Sequence, residues 1–241
     1  TVSIADAYDQ THIRYSQDIP SLMKYDFINV ISDGANTRYG SLFSDYEFYF
    51  KWNSTDGNDY NNADGIDSIH MLINGLFNHR TILNILSNYI YIPDNSDSNL
   101  IILPKYYQYY GAEKMYSSIL KEYEAGSGKG GTYWGATGCG KSYTMLFLSK
   151  RLTTSVELHK PTIILLTDRN DLDEQLSDDF ENAKEYLIDE NSLSIKNRKM
   201  LCEKLANVES GGIYLMTIQK FSEDISLLSD RKNIICISDE A

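Results

Sequence analysis

The spacing of apolar residues changes several times along the first ninety positions. Residues 3–19 carry apolar side chains at helical intervals, and Pro20 is expected to end that helix. Runs rich in β-branched and aromatic residues predict three strands, at 27–31, 39–43 and 47–52. Residues 66–92 return to helical spacing, and Pro93 with the polar run behind it predicts a domain boundary between residues 92 and 93.

The second half of the chain alternates between strand-like and helical patterns. An aromatic helix follows Pro104, and residues 132–134 predict a short strand. Met145, Leu148 and Leu152 then recur at helical spacing, as do Leu172, Leu176 and Phe180. Further strands are predicted at 161–166, 212–216 and 234–237, with a helix at 193–208. This alternation predicts an α/β fold with a doubly wound, mostly parallel sheet.

One glycine-rich segment within this alternation carries recognisable chemistry. Gly135, Gly140, Lys141 and Ser142 satisfy the pattern G-x-x-x-x-G-K-[ST]. Glycines allow successive backbone N–H groups to surround a phosphate without Cβ clashes. The Lys141 ammonium can reach the β- and γ-phosphates, and the Ser142 hydroxyl can bind Mg²⁺. The segment therefore predicts a site for ATP and Mg²⁺.

Polar clusters directly follow three of the predicted strands: residues 167–169, 217–219 and 239–240. Ligands of doubly wound sheets bind at the carboxyl ends of the strands, so these clusters should share one edge with the glycine segment. At that edge Asp239 is the candidate for binding Mg²⁺, and Glu240 the candidate for activating the attacking water.

Composition and charge exclude several classes of protein. The formal net charge of -12 argues against a protein that coats polyanions nonspecifically. The three cysteines lie far apart and the histidines lack metal-ligand spacing, so we expect a reducing cytoplasm and no zinc. No apolar run is long enough to cross a membrane. The chain begins at Thr1 without a secretion leader, and we expect a fragment of a longer protein.

Several motifs resemble those of one family. W-G-A-T-G-C-G-K-S-Y-T-M, T-D-R-N-D-L-D-E-Q-L, M-T-I-Q-K-F and the terminal D-E-A resemble motifs I, Ia, Ib and II of superfamily 2 helicases. More narrowly, they resemble the motor (R) subunit of type I restriction enzymes. The segment K-Y-Y-Q-Y-Y-G-A resembles the glutamine motif of that family. The resemblance covers nearly the whole chain.

The resemblance implies an architecture and an activity. Residues 93–241 would form a truncated first RecA-like P-loop lobe, and residues 1–92 the C-terminal remainder of a restriction-endonuclease-like α/β nuclease domain with a helical connection. The enzyme would translocate double-stranded DNA with ATP and Mg²⁺, together with methylase and specificity subunits. It would then cut foreign, unmethylated DNA at a distance from the recognition site.

The resemblance also implies roles for individual residues. Gln108 would contact adenine. The nucleotide would bind at Thr137, Gly138, Cys139, Gly140, Lys141 and Ser142. Mg²⁺ would bind at Ser142 and Asp239, and catalysis would use Lys141, Asp239 and Glu240. The DNA contacts would be Thr167, Arg169, Thr217 and Gln219.

The chain departs from the family pattern in identifiable places. No D…E-x-K nuclease triad is recognisable, and Asp26, Asp33, Asp45 and Glu47 are scattered. Asp45 and Glu47 are expected on one face of a strand, without a third partner, and are interpreted as surface charges. Gln10 and Tyr15 are one position further apart than the usual Q-x-x-x-Y. The arginine finger and second lobe are expected beyond Ala241. Two other classes of protein fit parts of the sequence: a docking module that binds ATP without turnover, and another P-loop enzyme such as a small-molecule kinase.

Overall fold

The computed structural model describes residues 3–58, 60–94, 100–167, 176, 178–188, 193–195, 197–221 and 229–239. The chain forms two compact units, residues 1–111 and residues 112–241. The domain boundary predicted between residues 92 and 93 stays a prediction.

The N-terminal unit begins with consecutive helical pieces instead of the single helix predicted for residues 3–19. They are listed in chain order: α1 (Ile4–Tyr8), a π-helix (Asp9–Tyr15), α2 (Ser16–Asp18) and α3 (Pro20–Met23). The Thr11 hydroxyl donates to the carbonyls of Ala7 and Tyr8, at 3.0 and 3.2 Å, where the helix type changes. Such bonds compete with the backbone ladder and distort helices. The helical run ends at Asp18, and Ile19 lies outside the helical region, as predicted from Pro20. Pro20 itself is the first residue of α3, a position that proline favours.

Strands β1 (Asn29–Ser32) and β2 (Thr37–Gly40) form an antiparallel hairpin, with Asn29 opposite Gly40. Asp33 Oδ1 accepts hydrogen bonds from the amides of Ala35 and Asn36, which closes the turn. Those bonds favour the charged carboxylate, so the pKa of Asp33 is lowered. Two of the predicted strands are therefore present with shifted boundaries.

The strand predicted at residues 47–52 is wrong. Tyr46–Phe48 is a 3₁₀-helix, and the only ladder contact described in this stretch is the bridge between Phe50 and Tyr39. The aromatic residues that suggested a strand are instead used in the core, since Tyr49 and Trp52 are both buried. The Tyr49 hydroxyl donates to the Ser41 carbonyl at 3.1 Å, which holds the turn before the 3₁₀-helix.

The helix predicted across residues 66–92 is broken into α4 (Ile66–Asn74) and α5 (His79–Asn88). Gly75 ends α4, and a Cβ at that position would collide with the Trp52 indole. Trp52 packs against the rings of Tyr39, Tyr109 and Tyr110 with centroids 5.6–5.8 Å apart. Leu72, Leu76 and Ile85 are buried in this stretch, whereas Ile73 and Leu86 are exposed.

The C-terminal unit is organised around a parallel sheet with strand order β4-β5-β3-β6. Its strands are β3 (Thr162–Thr167), β4 (Leu193–Ser194), β5 (Ile213–Thr217) and β6 (Ile234–Ser238). The helices described in the rest of the chain are α6 (Tyr106–Glu124), α7 (Lys141–Thr153), α8 (Lys184–Leu187), α9 (Arg198–Asn207) and α10 (Ile218–Phe221). Pairing is in register, with Leu166 opposite both Met216 and Ser238. The sheet confirms the predicted α/β class and is compatible with a P-loop NTPase lobe.

Burial explains the apolar strand sequences of this unit. Ile164 packs with Tyr214 and Met216 of β5 and with Leu201 of α9, while Ile163 on the opposite face is also fully buried. A sheet buried on both faces has continuous rather than alternating apolar strands. Within the residues that the structure describes, no helix has the length and apolarity needed to cross a bilayer.

Two local predictions in this unit are wrong. Residues 132–134 form no strand, since no described strand pairs with them. Residues 193–194 pair as β4 with β5, and the helix predicted from residue 193 begins at Arg198, where Asn197 accepts a hydrogen bond from the Met200 amide. The segment 168–175, including the predicted cap and Leu172, lies outside the described residues.

Candidate nucleotide-binding site

The predicted phosphate loop leads directly into α7. Gly138 and Gly140 have φ angles of 78° and 79°, in the left-handed region that glycine adopts without strain. Gly140 is the N-cap of α7, and the Cys139 amide donates to the Ala136 carbonyl at 3.1 Å. The first N–H groups of a helix lack intrahelical partners, so this turn directs donors and the positive end of the helix dipole toward the loop. Such an arrangement suits an anion.

Gly135 is required by close packing behind the loop. A Cβ at this position would lie 2.7 Å from Cys139 Sγ, 3.1 Å from Tyr133 Cε1 and 3.4 Å from Lys141 Cγ. The sequence pattern identified Gly135 but not Tyr133, which is half-buried against the loop and whose pKa is raised, chiefly by desolvation. Tyr133 was missed because it lies two residues before the pattern begins.

Lys141 and Asp239 line the same groove, which has a volume of about 1260 Å³. Other parts of its wall come from the segment Thr132–Gly135, from α6 and from β6. Asp239 directly follows β6, and its amide donates to the Leu166 carbonyl at 2.9 Å. The groove therefore brings together a lysine from the loop and a carboxylate from a strand end.

The loop residues differ in how accessible they are. Thr137 and Gly138 are exposed, while Cys139, Gly140, Lys141 and Ser142 are half-buried. Ser142 is not among the residues that line the groove. Hydroxyl and carboxylate oxygens are the ligands that Mg²⁺ prefers, so Ser142 and Asp239 fit a magnesium site by their chemistry. Glu240 lies outside the described residues.

The candidate DNA-binding residues are in different environments. Thr167 and Thr217 are paired across β3 and β5, and both are buried, with 0% and 1% exposure. Gln219 follows in α10 and is exposed, whereas Arg169 lies outside the described residues. The parallel register places both threonines at the carboxyl edge of the sheet, as the sequence predicted.

A comparison with known families identifies the larger part of the chain. The sequence profile described as SWI2/SNF2 ATPase matches residues 107–241, which include the loop, the sheet and Asp239. The chain belongs to the SWI2/SNF2 ATPase family. This assignment agrees with the helicase-like motifs around Lys141.

Curated relatives extend the similarity beyond the ATPase part. The type I restriction enzyme HindI endonuclease subunit of Haemophilus influenzae is 36% identical over 237 residues, covering 94% of this chain and 22% of that protein. A protein of Methanocaldococcus jannaschii, provisionally named type I restriction enzyme MjaIXP endonuclease subunit, is 35% identical over 260 residues and covers 98% of this chain and 24% of that protein. These relatives confirm the resemblance seen in the motifs. The chain spans about a quarter of their length.

Gln108 lies in the N-terminal unit, in the first turn of α6. Its side chain is 3% exposed, and Oε1 accepts a hydrogen bond from the Lys105 amide at 2.8 Å. This contact fixes the side chain at the start of the helix. The adenine contact expected of Gln108 in this ATPase stays a prediction.

Gln10 and Tyr15 lie in the N-terminal unit. Both belong to the π-helix, and Gln10 Nε2 donates to the Tyr15 hydroxyl at 2.7 Å. Among the residues described, no group of three or more His, Cys, Asp or Glu side chains could hold a metal ion. Asp45 and Glu47 are exposed, and half-burial raises the pKa of Asp26.

Proposed function

We propose that this chain is the ATP-binding lobe, with part of the nuclease domain, of the endonuclease subunit of a type I restriction enzyme. The whole protein would use ATP and Mg²⁺ to translocate double-stranded DNA and would cut unmethylated foreign DNA at a distance from its recognition site. Its partners would be the methylase and specificity subunits, in the cytoplasm. The main observation in support of this proposal is that Lys141 and Asp239 line the same groove.

Each functional group of the chain would have a separate role at this site. The loop amides and the Lys141 ammonium would bind the phosphates, and Gln108 would contact adenine. Ser142 and Asp239 would hold Mg²⁺, which when bound neutralises charge that develops on the transferred phosphoryl group. Glu240 would orient and deprotonate the attacking water. Thr167, Arg169, Thr217 and Gln219 would contact DNA.

Residues 1–92 would supply the remainder of the nuclease domain. Hydrolysis of a phosphodiester with Mg²⁺ needs carboxylates clustered around the metal. The described residues hold no such cluster, so the catalytic carboxylates would come from another part of the protein. The nuclease activity would therefore require residues of the longer protein.

The deciding experiment compares two lysine variants of the full-length protein. Lys141→Ala should abolish ATP hydrolysis with and without DNA, because the phosphates lose their principal cation. Lys199→Ala removes an equal charge from an exposed position on α9 and should hydrolyse ATP normally. Normal turnover by Lys141→Ala would refute the assignment. ATP binding without hydrolysis by the wild-type protein would favour a docking module instead.

A further inference from the structure

Arg231 connects three chain segments at the end of the sheet opposite Asp239. One terminal nitrogen, Nη1, donates to the Val208 carbonyl at 2.7 Å, just beyond α9. The other, Nη2, donates to Thr162 Oγ1 at 2.7 Å, at the first residue of β3. Nε donates to Asn233 Oδ1 at 3.1 Å, next to the start of β6. A planar guanidinium fixes the relative positions of all its acceptors at once.

The acceptors of Arg231 are themselves held in place. Thr162 is fully buried, and its hydroxyl donates to the Gly211 carbonyl at 2.6 Å. The Thr162 amide donates to the Asn233 carbonyl at 2.9 Å, which is the first bond of the pairing between β3 and β6. Arg231 therefore binds a residue of β3 that is itself held by two further hydrogen bonds.

The sequence of β6 does not fix its own register. Its residues are Ile-Ile-Cys-Ile-Ser, so both faces carry apolar side chains. Register is specified strongly only where one face is apolar and the other polar, because a slip then buries polar groups. Among the described strands β6 pairs with β3 alone, and its residues are half-buried or exposed. Neither the pattern nor a second neighbour selects the observed register.

A slip of β6 would displace the candidate metal ligand. A shift by two residues keeps each side chain on its face and moves the strand by about 7 Å. Mg²⁺ is bound by oxygens at about 2.0–2.1 Å in a nearly ideal octahedron, so Asp239 would lose contact with its site. The same shift would pull the Arg231 guanidinium away from Thr162 and Val208. The bonds of Arg231 thus oppose the slip that would remove Asp239.

We propose that Arg231 is a positioning residue for the magnesium site, because it fixes the register of β6 against β3 and so the place of Asp239. This proposal rests on the proposed ATPase function for its catalytic consequence, but not for the register itself. Arg231 lines the groove at the other end of β6 from Asp239, and it acts on the magnesium site through the strand.

The test compares Arg231→Gln and Arg231→Lys with Lys199→Gln in the full-length protein. Lys199 is exposed on α9 and is not among the residues that line the groove, and its substitution removes the same charge. One measurement is the Mg²⁺ concentration that half-saturates ATP hydrolysis, with nucleotide binding in the absence of Mg²⁺ measured in parallel. The other is hydrogen exchange by mass spectrometry in peptides covering β3, β5 and β6, which reads the strand pairing without any activity.

For Arg231→Gln we expect the half-saturating Mg²⁺ concentration to rise about tenfold, as is typical when a group that orients a metal ligand is removed. Mg²⁺-free nucleotide binding should not change. Exchange should accelerate in β6 and at the β3 amides that face β6, such as that of Thr162, but not in β5. Arg231→Lys should be intermediate, because an ammonium cannot bind all three acceptors in the guanidinium geometry.

Two results would overturn the proposal. One is Arg231→Gln matching Lys199→Gln in both measurements. The other is exchange accelerating in β5 as much as in β6, which indicates a general loss of stability. If the wild-type protein hydrolyses no ATP, the proposed function fails, and the exchange comparison still decides the role of Arg231.

Discussion

Gln10 donates a hydrogen bond to the Tyr15 hydroxyl although the two residues are five positions apart. In an α-helix, side chains four positions apart face one another, and a fifth position is rotated away. The π-helix Asp9–Tyr15 has the wider i→i+5 repeat, which returns Tyr15 to the face of Gln10. The π-helix therefore brings Gln10 and Tyr15 together, although one more residue separates them than in the usual Q-x-x-x-Y spacing.

This arrangement predicts opposite effects for a deletion and an insertion in the π-helix. Deleting Thr11 should convert the turn to α-helix and keep Gln10 beside Tyr15, so DNA cleavage by the full-length protein should persist. Inserting an alanine after Thr11 should separate the pair and lower cleavage. Cleavage is measured relative to ATP hydrolysis, which both variants should retain. An insertion variant that cuts DNA like the wild type would show that the pair has no role in the nuclease.

Packing behind the phosphate loop predicts the effect of Gly135→Ala. The new Cβ would lie 2.7 Å from Cys139 Sγ, so the loop must move. Displacement of a positioning group by about 1 Å can lower a rate by roughly 10²-fold, and we expect ATP hydrolysis by the full-length variant to fall by about that factor.

The double variant Gly135→Ala/Cys139→Ala provides the control for this steric explanation. It removes the sulfur that the added methyl group would strike, so it should recover part of the lost ATP hydrolysis. Tyr133 Cε1 would still lie 3.1 Å from the new Cβ, which is why complete recovery is not expected. A double variant as impaired as the single one would place the clash elsewhere.

The sequence correctly predicted the helices and strands whose residue pattern lies within the element itself. The glycine pattern and the apolar residues behind it predicted α7 from Lys141, and apolar runs predicted β3, β5 and β6 closely. Because parallel strands end at a common edge, the sequence also placed Thr167, Thr217 and Asp239 together. These predictions needed only backbone geometry and the periodicity of burial.

The sequence failed where tertiary packing overrides local preference. Tyr49 and Trp52 look like strand residues, yet they fill the core around a 3₁₀-helix. Gly75 interrupts an otherwise helical pattern because the Trp52 indole occupies the space of its Cβ. Arg231 donates hydrogen bonds to residues that lie 23 and 69 positions earlier in the chain. No periodic pattern of residue types predicts such hydrogen bonds.

The buried tyrosines predict that the N-terminal unit loses stability at alkaline pH. Desolvation raises the pKa of Tyr110 from 10.0 to about 12, with Tyr109 and Asp56 adding repulsion. The folded state then holds a proton that the unfolded state has released, so stability is complete below pH 10 and falls as the pH rises toward 12. Tyr110→Phe removes this titration and should make the decline less steep.

The measurement for Tyr110 is urea unfolding of the chain at a series of pH values from roughly 8 to 11. It is followed by tryptophan fluorescence in a Trp134→Phe background. The remaining signal then comes from Trp52, whose ring centroid lies 5.7 Å from that of Tyr110. Tyr25→Phe is the matched control, since Tyr25 is 71% exposed. An identical pH dependence for both variants would mean that Tyr110 ionises without unfolding the unit.

The carboxylates of the N-terminal unit predict that this chain alone does not cut DNA. Asp45 and Glu47 were expected on one face of a strand, but they flank Tyr46 at a 3₁₀-helix and are exposed. Asp33 is engaged by two amides in the hairpin turn. Burial raises the pKa of Asp26, which opposes its charged form and weakens it as a metal ligand. These acids lack the clustering that a two-carboxylate metal site requires.

Plasmid nicking in the presence of Mg²⁺ or Mn²⁺ tests this prediction on three proteins: this chain, its Asp45→Ala/Glu47→Ala variant, and the full-length protein. We expect no nicking by the first two, because the described residues of this chain hold no cluster of carboxylates that could bind the metal. The full-length protein should cut, and the same double substitution within it should leave cleavage unchanged. Nicking by the chain alone that disappears in the double variant would locate the nuclease site at Asp45 and Glu47.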